Sequence, residues 1–139
     1  MSLFLLDTDT LTLYQHGHHT LEDRVINAIP LGLAITVISV EEQLDGWHAF
    51  LNRSRTDARL AHAYQNMTDN IRTLSGLFIV TFSELAIRRY NALLAMKLNI
   101  GKMDLRIEAI ALEEDATVIT RNLRDFERVP QLKCENWAD

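Results

Sequence analysis

Four carboxylates, Asp7, Glu42, Asp104 and Asp125, stand at or just beyond the ends of short apolar runs spread over the whole chain, and Asn122 stands three positions before the last of them. Carboxylates gathered in a small space repel one another unless a proton, an arginine or a bound cation offsets them. Oxygen donors without cysteine suit a hard ion such as Mg2+ or Mn2+ better than zinc. An ion held in that way lowers the pKa of a bound water and stabilises charge on a phosphate under attack.

Each of these residues also has an ordinary structural reading. Asp7 follows the apolar run 3–6 and could simply cap a helix beginning near Thr10, although Asp9 is closer to the expected cap. Glu42 competes with its neighbour Glu41, and it could serve only as the return half of a capping box opened by Ser39. Asp104 begins the apolar stretch LRIEAIAL, where an unpaired charge is expensive, and Glu108 repeats the problem one turn later. Arg106 or Arg121 could offset that pair. Asn122 and Asp125 lie in TRNLRDF, a charge run that would pass for a solvated turn if it did not follow an apolar strand. His16, His18 and His19 form a further polar cluster, but no acidic or cysteine partner stands at ligand spacing, and solvated loop histidines are the simpler reading.

The elements that must position these groups alternate. Buried strands are expected over 3–6, 34–38, 77–82 and 117–120, with a last edge strand over 132–135. Helical patterns fill 40–51, 57–71, 83–98 and 102–114, with one more beginning near Thr10, and Ser39 and Ser83 are candidate N-caps. Strands separated by helices, without hairpin turns, imply an α/β fold of three α/β/α layers around a mostly parallel sheet of four to five strands. In such sheets ligands bind beyond the carboxyl ends of the strands, which is where the acidic residues fall.

A chain of 139 residues fits a single domain over 1–139. Its net charge of -5 argues against binding nucleic acid by bulk electrostatics, so any such contact must use local arginines or bound cations. One cysteine, Cys134, forms no disulfide within the chain, and no stretch reads as a leader or a membrane span. The cytoplasm is the expected compartment.

The motifs LLDTDTL, ISVEEQLDGW, IGKMDLRIEAIAL and TRNLRDFERVPQLKCENW together resemble the PIN-domain ribonucleases, in particular the VapC-type toxins of bacterial toxin–antitoxin modules. The resemblance runs over nearly the whole chain. It implies that Asp7 and Asp104 ligate Mg2+ or Mn2+ and that Glu42, four positions before Gly46, completes the acidic pocket. The fourth pocket position stays open between Asn122 and Asp125. The resemblance further implies hydrolysis of RNA phosphodiester bonds, a homodimer, and a cognate antitoxin that blocks the pocket. Arg121, Arg124 and Arg106, then Lys102, are the candidate contacts to the RNA backbone. Two departures from the family pattern stand out: Glu108 in place of the usual alanine, and Asp9 in place of the usual asparagine.

Two other readings compete. Asp7-Thr8-Asp9-Thr10-Leu11 approaches the DxDx[TV] signature of haloacid dehalogenase-like phosphatases, with Asp7 as nucleophile, although Leu11 breaks the pattern. A catalytically degenerate binding domain would instead use Trp47, Phe50 and Tyr64 as interface anchors, against the expectation that they pack in the core.

Overall fold

The computed structural model describes residues 3–139. Its elements, in order, are β1 (Phe4–Leu6), α1 (Thr8–Gln15), α2 (His19–Gly32), β2 (Leu33–Thr36), α3 (Val37–Arg53), α4 (Asp57–Ser75), β3 (Phe78–Val80), α5 (Glu84–Ala95), α6 (Lys102–Glu113), β4 (Thr117–Ile119), α7 (Leu123–Phe126) and β5 (Lys133–Glu135). The strands form one sheet in the order β3-β2-β1-β4-β5, and every pairing is parallel. The α/β class and the five-strand upper count are borne out, and "mostly parallel" sharpens to entirely parallel.

Period-two alternation explains why the strands read as unbroken apolar runs. Leu5, Ala34 and Val118, in register across three strands, point to one face, where Ile38 of α3, Ala86 of α5 and Ile107, Ile110 and Ala111 of α6 cover them. Leu6, Ile35 and Ile119 point to the other face and pack on Leu11, Leu21, Val25, Ala28 and Leu74 of α1, α2 and α4. Both faces of the central strands β1, β2 and β4 are covered, so their only polar residues are the buried Thr36 and Thr117, while the edge strand β5 exposes Lys133 and Glu135. Removing Leu5 and Leu6 from water contributes about 2 kcal/mol each.

Three local expectations need correction. β2 ends at Thr36, two residues early, because the Thr36 hydroxyl accepts a hydrogen bond from Ser39 N (3.4 Å) and starts α3 there. Ser39 is therefore not the N-cap; it is buried in the first turn, and the capping box with Glu42 does not form. Secondly, α1 starts at Thr8, with Asp7 and not Asp9 as its cap. Thirdly, β1 and β2 are joined by two helices where one had been expected. Gly17, at φ +78°, breaks α1 from α2, and His18 caps α2 by accepting from Leu21 N through Nδ1 (3.3 Å). Leu21, Val25 and Ala28 carry helical spacing that could have revealed α2 in the sequence.

The first two crossovers move outward from β1 to β2 to β3, and the chain then returns to place β4 and β5 on the other side of β1. The direction reverses between β1 and β4. A crevice at the carboxyl ends of those two strands is the place where such sheets hold ligands.

Candidate active site

Asp7 closes β1. Its backbone N–H donates to Ile119 O (3.0 Å), prolonging the β1–β4 ladder by one residue, while its Oδ1 accepts from Thr10 N (2.8 Å). The side chain is therefore pinned at the crevice and only 4% exposed. Burial pushes its pKa above the ordinary carboxylate value, and the neighbouring Thr10 and Thr120 side chains, which favour the charged form, pull against that.

Glu42 comes to the same rim from α3. Thr8, the first residue of α1, donates its hydroxyl hydrogen to Glu42 Oε1 (2.6 Å) and lies 2.9 Å from the Ser39 hydroxyl, so a residue that sequence reasoning passed over ties α3 to the end of β1. Glu41 is exposed and Glu42 half-buried.

Asp104 stands in the first turn of α6, whose cap residue Gly101 offers no side-chain hydrogen bond. Desolvation first, then the charges of Asp7, Glu42, Asp125 and Asp9, raises its pKa to about 6. The field of four other acids at one half-buried carboxyl shows how closely the fold gathers groups from α1, α3, α6 and α7. One turn further, Glu108 is wholly buried, with neither carboxylate oxygen hydrogen-bonded, and desolvation followed by Asp104 and Asp125 raises its pKa to about 8.

After β4 the chain presents both candidates for the last position. Asn122 lines the cleft; its amide donates to Asp125 Oδ2 (2.8 Å), and Arg128 pairs with the other Asp125 oxygen (3.1 Å). Asp125 is drawn to one side. The cleft itself, about 570 Å³, is lined by Asp7, Asp9, Asp104, Arg121, Asn122 and Phe126, with Asn136 and Asp139 from beyond β5. Those last two carried no signal in the sequence, because they arrive only by the path of the chain after the final strand.

The basic candidates separate. Arg121 lines the cleft and grips Asp9 with two hydrogen bonds (2.8 and 3.1 Å). Arg124 and Lys102 are exposed. Arg106 turns away, its guanidinium 5.2 Å from the centre of the Tyr90 ring, which corrects the idea that it offsets Asp104 and Glu108. Phe50 and Tyr64 are exposed rather than core residues, and Trp47 is half-buried edge-on to Phe50.

Among the described residues no three His, Cys, Asp or Glu side chains stand as a finished ligand cage. Asp7, Glu42 and Asp125 each accept a hydrogen bond from a protein donor, as acceptor-only groups do. The donor set, all oxygen, with two carboxyls held well above their usual pKa, fits a divalent cation.

The five-stranded, all-parallel three-layer fold matches that of VapC-type PIN-domain structures. Structural comparison places the chain beside the VapC branch of that class. A crystal structure of VapBC2 from Rickettsia felis bound to a promoter DNA fragment contains a chain with TM-score 0.78 and 26% identity, covering 97% of this chain and 98% of that one. A DNA-bound VapBC from Salmonella typhimurium gives the same TM-score at 24% identity over 99% of both chains, a likeness of fold alone. Among curated proteins, Ribonuclease VapC2 of Rickettsia felis is 43% identical over 46% of this chain and 51% of its own length. Ribonuclease VapC2 of Haemophilus influenzae is 46% identical over 28% of this chain and 30% of its own length. The chain thus matches about half the length, or less, of these curated relatives. No family model matches it. The resemblance to VapC-type PIN domains is borne out, over the full chain in fold and over about half of it in sequence.

Proposed function

We propose that the chain is a metal-dependent endoribonuclease toxin of the VapC type that hydrolyses RNA phosphodiester bonds in the cleft between β1, β4 and α6. The observation that carries this reading is the convergence of acids on Asp104, whose carboxyl is held at about 6 by burial and by four neighbouring acids, only two of them paired with an arginine. Asp7, Asp104 and Glu42 are the residues that would hold Mg2+ or Mn2+, with Asn122 or Asp125 completing the pocket. Such an ion supplies an activated water and offsets charge on the phosphate. The protein's part is to fix the donors: the helix cap holds Asp7, the Thr8 hydroxyl aims Glu42, and a hydrogen bond ties Asp125 to Asn122, which lines the cleft. Arg121 is the basic group best placed to meet an RNA phosphate, which would compete with Asp9 for the guanidinium. Arg124 and Lys102 can follow the backbone further out.

The named structural relatives are toxin–antitoxin complexes. By similarity, a cognate antitoxin protein would cover this rim, the working form would be a homodimer, and the compartment would be the cytoplasm; no helix among the described residues is long and apolar enough to cross a membrane. The test is cleavage by purified protein of an RNA panel that includes tRNA and rRNA. Cutting that requires Mg2+ or Mn2+ and stops with a chelator is the expected result. Folded protein that binds the cation yet leaves every RNA intact would overturn the nuclease reading.

A further inference from the structure

Glu108 is the one buried carboxylate that the proposed activity leaves unexplained. It lies one turn after Asp104 on α6, fully out of solvent, and both its oxygens lack a hydrogen-bond partner. An unpaired acceptor in that setting is among the costliest defects a core can carry. Packing does not require it, because its neighbours along the helix, Ile107, Ile110 and Ala111, are apolar core residues and another apolar side chain would fill the space. Glu108 shares a face of α6 with Asp104, one turn away; the charges of Asp104 and Asp125 act on it, and its own acts on Cys134 of β5.

The basic side chains of the rim and of α6 make their contacts elsewhere, although the Nε of Arg106 is itself buried without a hydrogen-bond partner. Arg106 stacks on Tyr90, Arg121 holds Asp9, Arg128 pairs with Asp125 and also reaches the backbone carbonyls of Leu98 and Asn99, and Lys133 pairs with Asp115. Among the described residues no ion pair reaches Glu108, so only a proton or an added cation can offset its charge.

We propose that Glu108 is an additional cation ligand, an inner carboxylate that with Asp104 and Asp125 holds a second divalent ion below the one assigned to Asp7, Asp104 and Glu42. This rests on reading the rim as a cation site. The Asn122 amide and Arg128 hold Asp125 in the present arrangement. Arrival of the ion gives those acids a common partner, and the three side-chain torsions of Glu108 let it follow.

Mn2+ titration by calorimetry, together with thermal melting of the metal-free protein, tests the proposal without any RNA. Wild type should bind two ions. Glu108→Gln, which keeps the shape, should lose the second ion or bind it at least about tenfold more weakly. Glu108→Met, which removes the orphaned acceptor, should raise the metal-free melting temperature by a few degrees while showing the same loss of cation binding. Variants that melt higher yet keep wild-type number and affinity of ions would overturn the proposal, as would a Glu108→Met that melts lower without metal. A wild type that binds no Mn2+ would sink both this inference and the nuclease reading. Two ions dependent on Glu108 with uncut RNA would leave the inference standing and remove only the nuclease.

Discussion

Two polar regions meet along α1: the groove it shares with α3 and α4, and the acidic rim at its N-terminal end. In the groove, the Gln43 amide donates to Gln15 Oε1 (2.8 Å) and Thr12 Oγ1 (3.3 Å), and its oxygen accepts from Asn70 (3.0 Å) and from Gln15 (3.4 Å). Amides carry donors and acceptors together, so this cluster nearly satisfies itself, with only the Asn70 Oδ1 left over. At the rim, ionised carboxylates can only accept. The donors within reach, Thr8, Thr10 N, Asn122, Arg121 and Arg128, serve Glu42, Asp7, Asp125 and Asp9, while Glu108 receives none. Two neighbouring polar clusters of similar size therefore behave differently: one is a finished structural joint, and the other is complete only when a proton or cation arrives.

The sharpest break in that contrast is Asp104→Asn. Exchanging one acid for a neutral amide of the same shape should lower RNA cleavage by about a hundredfold or more while leaving the fold intact, since it replaces an anionic donor to the cation with a weak neutral one. Cleavage rates with circular dichroism as the control for folding measure this, and undiminished cleavage would take Asp104 out of the machinery.

A second effect follows from pH. Asp104 is raised from 3.8 to about 6 and Glu108 from 4.5 to about 8, so in both cases the folded chain holds its proton more tightly than the unfolded chain does. The stabilisation from these groups is complete below the unfolded values and is lost as pH rises through the folded ones. Metal-free protein should therefore melt at progressively lower temperature from about pH 4.5 to about pH 8. Saturating Mn2+ should flatten the slope, because the ion takes over from the proton. A metal-free melting temperature that climbs across that range would contradict the assignment of uncompensated acids.

The smallest effect belongs to the groove. Gln43→Ala breaks the amide cluster and should cost about 1–2 kcal/mol in urea unfolding, with Mn2+ affinity and cleavage rate unchanged. A loss of cation affinity instead would mean that the two regions are not separable.

Much of this was legible before any tertiary structure. The apolar runs at 3–6 and 117–120 and the helices that begin at Asp57, Glu84 and Lys102 follow from composition and spacing, because strands dry on both faces need no polar partner and the helices show a periodic apolar stripe. Legibility failed where a single hydrogen bond outcompetes propensity. The Thr36 hydroxyl ended a β-branched run that favours a longer strand, and α1 begins two residues earlier than Thr10, so that Asp7 rather than the better-spaced Asp9 caps it. It failed again at Asn136 and Asp139, whose place in the cleft depends on the route the chain takes after β5.

The sequence by itself determined the parallel sheet, the succession of its strands with the helices between them apart from α2 and α7, and the presence of acids beyond strand ends, since these depend on local periodicity and on right-handed crossovers. Only the tertiary structure decided which donors those acids meet. That Asp9 takes Arg121, that Thr8 holds Glu42, and that Glu108 is buried with no partner are matters of distance between segments far apart in the chain, and distance sets whether a charge is compensated.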